Sequence, residues 1–501
     1  MLFSSFIFIF AFLPAVLVSW YASLYFGRPR VAVALCVAAS LFFYGYWNPS
    51  VFWVLTTSII GNYLLGNGIV GLPPGRRRKA LLIAGLTFDL GLLGWFKYAG
   101  FVGNLLTASN FRDMTSAVVN TALPLGISFF TFQKVAYLID CYRKPPTRNY
   151  SPLEYAFFVT FFPQLIAGPI VHHSQMIPQL WRLQGTAPLR RAMAMVPPAL
   201  ALFTIGLAKK LLLADSFGRF VGNPFANASS PAFSFLDAWG AALTYTMQIY
   251  FDFSGYSDMA IGLGLLFGIR LPINFFSPYK ATSIIDFWRR WHMTLSTFLR
   301  DYLYFALGGN RNGPVRRHVN LLVTMVLGGL WHGPSLTFLV WGLLHGLYLV
   351  FNHLWRAVVR WRMPRLLATV ITFMAVVIAW VPFRAANLVD CGRFYRAMLG
   401  LDGVVVPSSY QRVVEQVLGA TPPWMRVGDL YFFAGAQQIA LVAIGLVIVF
   451  ALPSSTILLQ NRSARRAIRQ PAFAAGLGAM FWVSLVVLFG QDSATFLYFQ
   501  F

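Results

Sequence analysis

Groups able to take up and return a proton near neutral pH are few in this 501-residue chain. It has seven histidines: His172, His173, His292, His318, His332, His345 and His353. His332 lies in Leu330-Trp331-His332-Gly333-Pro334, inside an otherwise apolar run from Val319 to Phe351. Ionisable groups within membrane segments are expensive and default to function. Gly328, Gly329, Gly333 and Pro334 let backbone or ligand approach closely. A neutral imidazole there can serve as a general base. The plainer alternative is a histidine that bonds a neighbouring helix as glue. His292 lies in Asp286-Phe287-Trp288-Arg289-Arg290-Trp291-His292, a polar and aromatic stretch expected at an interface or lining a cavity. His345 follows His332 by 13 positions. On a continuous helix that is about 220° of rotation, so His345 is expected to face away in a supporting role, unless Pro334 breaks the helix.

Acidic residues are scarce, so their positions inform. Asp252 and Asp258 lie in Tyr250-Phe251-Asp252-Phe253-Ser254-Gly255-Tyr256-Ser257-Asp258. Their spacing does not stack them on one helix face, and they are expected to cap two broken helices. Asp89, inside an apolar run, is expected to pair with Lys97 or a distant arginine. Basic residues gather from 280 to 317: Lys280, Arg289, Arg290, Arg300, Arg311, Arg316 and Arg317. Trp288, Trp291, Tyr302 and Tyr304 are interleaved. This is either an interfacial segment with snorkelling cations or a phosphate-binding rim, since arginine grips phosphate bidentately.

The elements that hold these groups are membrane helices. Hydrophobic residues make up 58% and charged residues 11%, with Lys+Arg 39 against Asp+Glu 15. A soluble domain carries about 25% charge. The long unalternating apolar runs also exclude a membrane β-barrel. The net charge of +24 is distributed in short loops between apolar runs, which favours positive-inside topology over nucleic-acid binding. Candidate spans, at about 20 residues each, fall near 5–26, 31–47, 51–71, 80–106, 121–141, 152–171, 193–213, 236–268, 319–351, 366–384, 431–453 and 473–490. The first is read as a retained span rather than a signal peptide. The runs 236–268 and 319–351 are expected to contain broken or re-entrant helices. Basic loops after the first, third and fifth spans are placed in the cytoplasm. The neutral loop 107–120 alternates with them, and the basic loop 182–191 breaks the alternation. Residues 1–501 are read as one membrane domain, with 385–430 an extramembrane excursion. Cys36, Cys141 and Cys391 have no paired or metal-binding spacing. No nucleotide, zinc-protease or serine-elbow motif is present.

Several blocks together resemble the membrane-bound O-acyltransferase (MBOAT) family, in its bacterial alginate-acetylating branch. They are Pro124 to Gln133, Phe162 to Ile170, Tyr250 to Asp258, Asn274 to Tyr279, Asp286 to Arg311, Gly328 to Gly333 and Phe496 to Phe501. Trp380 to Ala385 fits as well, departing at Pro382. The resemblance implies an all-α polytopic fold: a ring of tilted helices with re-entrant segments around a central tunnel. It implies that His332 is the catalytic histidine and His292 the second site position. It further implies a bacterial inner-membrane enzyme that moves acetyl from cytoplasmic acetyl-CoA toward an exopolysaccharide such as alginate. A periplasmic or membrane-tethered SGNH-type partner would complete the transfer. Arg289, Arg290 and Arg300 would then hold the donor phosphates, and no metal is required. Cellulose or peptidoglycan are alternative polymers. A sugar transporter or an inactive scaffold are the non-enzymatic alternatives, disfavoured by the lack of inverted repeats and by the intact Trp-His-Gly motif.

Overall fold

The computed structural model describes residues 1–106, 123–183, 187–230, 233–359, 361, 363–419, 422, 424–428, 430, 432, 436–490 and 496–497. The loop 107–120 and the terminal residues 498–501 lie outside them. The described chain is helical apart from one parallel pair of strands, Val404–Val406 against Met425–Val427. Six helical runs are long and apolar enough to cross a membrane: Ile7–Tyr25, Arg76–Gly103, Ala192–Ala226, Leu336–Val358, Arg365–Arg384 and Pro471–Gly490. Pro29–Gly45 and Pro49–Gly71 form a further apolar pair, bent by 117° at their junction. Asn48 punctuates that bend: its side chain accepts from Ser50 N at 3.0 Å, and Pro49 opens the next turn. The protein is therefore an all-α, multi-pass membrane protein.

Four expectations need correction. The run 236–268 is one unbroken helix, Phe235–Leu266. Its glycines serve close helix approach instead of breaks. A methyl on Gly262 would lie 2.7 Å from the Ala199 carbonyl oxygen, and one on Gly206 would lie 2.5 Å from that of Gly255. Asp252 and Asp258 thus sit within this helix and not at its ends. Asp89 meets neither of its expected partners: its Oδ1 accepts from Asn62 Nδ2 at 2.7 Å. Its neighbouring charge is Lys134, whose ammonium donates to Ser58. In addition, 152–171 divides into Pro152–Thr160 and Phe162–Leu165. Nine residues rise about 13 Å, short of a roughly 30 Å bilayer core, so no single helix crosses there and the charge alternation need not hold.

The described residues pack into two compact units. The first comprises Met1–Ala208, Gly255–Asn274 and Ser455–Gln500. Its core is aromatic, with Phe8, Phe43, Phe157, Phe161 and Phe162 all essentially inaccessible. Helices Phe52–Gly71 and Ile127–Arg143 touch where a Cβ on Gly66 would lie 2.4 Å from the Tyr137 ring. At one end of this unit, Tyr150 Oη lies 2.8 Å from His173 Nδ1, and His173 Nε2 lies 3.3 Å from Asp140.

The second unit comprises Lys209–Ser254 and Phe275–Ser454. It contains His292, His332 and His345. The run 319–351 is broken as expected, into Gly313–His332 and Leu336–Val358. Pro334 lies in the break, and Ser335 caps the second helix by accepting from Thr337 N at 3.3 Å. The two helices cross with almost no side chain between them. A methyl on Gly329 would lie 2.3 Å from the Phe338 carbonyl oxygen, and one on Gly342 would lie 2.4 Å from that of Met325. Small residues at the crossing are what tight packing between membrane helices requires. The stretch 385–430 holds helices Leu388–Met398 and Gln411–Leu418 and the strand pair, with no crossing helix among its described residues.

Candidate active site

His332 is the last residue of helix Gly313–His332 and is 4% exposed. Its ring meets Trp341 and Phe383, each at 5.0 Å between centroids, and Trp331 at 4.8 Å. The Phe338 ring forces the glycine that follows: a Cβ on Gly333 would lie 2.3 Å from it. The imidazole is thus enclosed by aromatic faces at a point where the helix stops.

His292 is fully buried and holds φ 41° and ψ 53°. Left-handed backbone at a non-glycine residue costs free energy and clusters at functional sites. The conformation turns the chain between Ile284–Trp288 and Met293–Phe298, and the His292 carbonyl accepts from Ser296 N at 3.0 Å. The ring lies edge-on to Phe253 at 4.7 Å and meets Trp331 at 6.1 Å. Burial drives its pKa down from 6.5 to about 3, so the ring is neutral. Trp331 therefore touches both histidines singled out in the sequence.

His345 is drawn in as well. Because the helix breaks before Leu336, the rotation argument does not apply. Trp341 lies 4.8 Å from His345 on one side and 5.0 Å from His332 on the other.

The Tyr250 block packs against the same centre. Tyr250 lies 6.3 Å from Trp291, and Tyr279 Oη donates to the Thr246 carbonyl at 2.6 Å. Asp252 is held by Lys210, whose ammonium bridges Asp215 and Asp252 at 2.8 Å each. Sequence reasoning missed Lys210. Its signal was a lysine in an apolar run with two acidic residues able to reach it.

A cleft of about 1240 Å³ opens in the second unit. Among the described residues its cations are Lys280, Arg290, Arg356 and Arg365, and its aromatic walls include Trp355 and Trp361. Asp286 is the one acidic residue among the described residues of the lining. It is engaged by Arg290 Nε at 2.9 Å. Burial, with Arg290 nearby, lowers the Lys280 pKa from its usual value. Arg356 donates to Ser283 Oγ at 3.3 Å. Of the three arginines singled out in the sequence, only Arg290 lines this cleft. Arg289 is exposed elsewhere, and Arg300 points at Asp301, with Nε 2.7 Å from Oδ1. Tyr348 belongs to the lining and also meets His345 at 5.9 Å. Ring contacts thus run from the cationic cleft through Tyr348, His345 and Trp341 to His332.

A polytopic helical protein with a buried histidine at a helix break, a second strained histidine and a cationic cleft has the parts of a membrane acyltransferase. The MBOAT (membrane-bound O-acyltransferase) family model matches residues 114–389. The chain belongs to that family and is an O-acyltransferase. It is 39% identical to the peptidoglycan O-acetyltransferase of Helicobacter pylori over 533 residues, covering 100% of this chain and 98% of that protein. It is 41% identical to the probable alginate O-acetylase AlgI of Pseudomonas aeruginosa over 402 residues, 79% of this chain and 75% of that one. The teichoic acid D-alanyltransferase of Streptococcus thermophilus is 31% identical over 46% of this chain and 57% of that one.

Proposed function

We propose that this enzyme transfers an acetyl group from acetyl-CoA toward a cell-envelope polysaccharide, with His332 as general base. The observation that carries this reading is His332 itself: an enclosed imidazole at a helix break, connected through ring contacts to a cleft that has four cations among its described lining residues. An acceptor hydroxyl is a weak nucleophile and needs a base within about 2.6–3.2 Å as it attacks. His332 takes the hydroxyl proton while the oxygen bonds to the acetyl carbonyl carbon. The carbonyl oxygen becomes an oxyanion that needs donors aimed at it. The neutral His292 ring and the Trp331 indole are the candidates. Collapse expels the thiolate, and His332 returns the proton to sulfur. The cations of the cleft hold the donor phosphates, with Arg290, Lys280, Arg356 and Arg365 in place of the wider rim expected from sequence.

The acceptor polymer lies outside the cytoplasmic membrane, so the immediate acceptor hydroxyl is that of a periplasmic or membrane-tethered SGNH-type partner, which completes transfer onto the sugar. Full-length similarity to a peptidoglycan O-acetyltransferase supports peptidoglycan as the polymer. Alginate, the expectation from sequence, is the second reading, supported by the marginally higher identity over the shorter alignment. The test is labelled acetyl-CoA supplied to inverted membrane vesicles that contain the partner. Label should cross to the lumenal side with the wild-type protein and not with His332→Ala. Equal transfer by a folded His332→Ala protein would remove the assigned base. Growth of label in muramic acid residues or in uronic acid residues decides between the polymers.

A further inference from the structure

The ends of two helices in the second unit bring basic side chains together with no acid among them. Helix Gly313–His332 carries Arg316, Arg317 and His318 in its first two turns, and helix Leu336–Val358 carries His353 and Arg356 in its last two. Neither helix contains an aspartate or a glutamate. The rings of His318 and His353 lie 6.4 Å apart, and Arg317 Nη2 donates to His318 Nε2 at 3.0 Å. Among the described residues, the groups that act electrostatically on His353 are Arg317, His318 and Arg356. The two acids of the stretch 280–317 are engaged by other arginines, Asp286 by Arg290 at 2.9 Å and Asp301 by Arg300 at 2.7 Å. Arg356 meets the neutral hydroxyl of Ser283, and Arg317 Nε is enclosed with no hydrogen-bond partner among the described residues. A cation that merely snorkels reaches water on its own. Here Arg317, His318 and His353 are half-buried and gathered at one place, an arrangement of cations and donors that lacks its counter-ion. From this end, both helices also present exposed apolar residues at helical spacing. They are Val315, Val319 and Val323 on the first and Leu347, Phe351 and Leu354 on the second. Exposed apolar stripes of this kind mark contact with membrane lipid.

We propose that this cluster binds the headgroup phosphate of an anionic phospholipid, whose acyl chains lie along the two stripes. Arginine offers paired N–H donors to phosphate oxygens, and each imidazole adds a further donor. Basic pockets between membrane helices suit such headgroups. The ligand comes from the bilayer side, so the site is a surface of the unit and needs no enclosed cavity. Arg356 belongs both to this cluster and to the cationic cleft. A bound lipid therefore steadies the helix end that carries one of the cleft's cations. The inference stands apart from the reaction assigned above. Its phosphate chemistry is shared with the proposed acyl donor, and only the lipid adds acyl chains for the apolar stripes.

The test titrates delipidated full-length protein in detergent with phosphatidylglycerol or phosphatidylcholine, at about 0.15 M salt to screen long-range attraction. Native mass spectrometry reads the bound lipid, and thermal unfolding checks the fold. Wild type should bind phosphatidylglycerol more tightly than phosphatidylcholine and gain more Tm from it. Arg317→Ala, and His318→Ala combined with His353→Ala, should each weaken phosphatidylglycerol binding about 3- to 10-fold and leave phosphatidylcholine unchanged. His353→Glu puts a carboxylate where the phosphate sits. It should raise Tm in the absence of lipid and abolish the preference for phosphatidylglycerol. The site is overturned if wild type binds the two lipids equally, or if the folded Arg317 and double histidine variants keep the wild-type preference. Coenzyme A tests the other source of phosphate, and its affinity should be the same for wild type and Arg317→Ala. A loss of coenzyme A affinity matching the loss for phosphatidylglycerol would assign the cluster to the donor and remove the lipid.

Discussion

Replacing His292 separates what its backbone does from what its ring does. The residue holds φ 41° and is fully buried. Left-handed backbone costs an L-residue about 1–2 kcal/mol, and glycine escapes that penalty. Removing the ring forfeits its packing on Phe253 and Trp331, which for a buried side chain of this size costs about 2–4 kcal/mol. Alanine suffers both terms and glycine only the second. The expected order of stability is therefore His292→Gly above His292→Ala by about 1 kcal/mol. In an ordinary helix interior the order is reversed, with glycine the weaker by about 0.5–1 kcal/mol. Asparagine visits the left-handed region more readily than most residues and keeps a polar group, so His292→Asn should be the best tolerated of the three. Activity should follow a different order. If the neutral ring donates to the oxyanion, its loss in either His292→Gly or His292→Ala lowers kcat about 10²–10³-fold. Thermal unfolding in detergent and single-turnover acetyl transfer read the two orders separately. Alanine more stable than glycine would refute the left-handed geometry. Full kcat in a folded His292→Gly protein would reduce His292 to a structural turn.

Three further outcomes follow from the same geometry. Arg356→Ala with Arg365→Ala should raise the donor KM about 5- to 30-fold, since two exposed charge contacts are lost. The same change at Arg289 and Arg300, which lie outside the cleft, should leave it near wild type in a steady-state assay. Gly342→Leu should push apart the helices that frame His332, because its Cβ alone would lie 2.4 Å from the Met325 carbonyl oxygen. Overpacking of this kind costs about 1–3 kcal/mol, and both Tm and kcat should fall. Finally, the unfolded chain protonates His292 near pH 6.5, whereas the folded chain resists until about pH 3. Stability should decline as pH drops through that window, and His292→Asn should flatten the decline in Tm plotted against pH.

His332 and His292 were legible in the sequence because a polar group in an apolar run, or in a dense aromatic one, is conspicuous without any structure. The break after His332 was legible too, since Gly333 and Pro334 stand together there and proline breaks a helix interior. The same reasoning failed for 236–268, where glycines mark helix crossings: a glycine that thins a helix for a neighbour is locally indistinguishable from one that ends it. The cleft was only half visible. Lys280 and Arg290 belong to the basic stretch, but Arg356 and Arg365 flank two apolar helices and look there like ordinary snorkelling cations. Only the turn between Leu336–Val358 and Arg365–Arg384 brings them to one cavity. For His345 the rotation argument fell away at Pro334, because helical phase says nothing across a break.

The position of His332 at a helix end suits the role of general base proposed for it. A general base gains positive charge as it takes a proton, in an environment poor in counter-charge. A histidine within a continuous helix would have its surroundings neutralised by the hydrogen bonds of the ladder. At the C-terminal end, the last carbonyls have no intrahelical partner, and the helix dipole presents its negative pole. An imidazolium formed there is favoured without a carboxylate, which would compete for the acceptor hydroxyl or repel the departing thiolate. The cost of ending a helix inside an apolar unit is the set of freed backbone groups, and these are tolerated only where protein covers them. Phe338, Trp341 and Phe383 supply that cover around the His332 ring, and the glycines at 329, 333 and 342 let it close. The glycines, the break and the aromatic wall all fit the one requirement of the proposed base, that it charge transiently in a nearly uncharged place. A His332→Asp protein should therefore not recover transfer, because a carboxylate at that pole is opposed by the same dipole that favours the imidazolium. Restored turnover in that variant would show that the helix end is incidental to the chemistry.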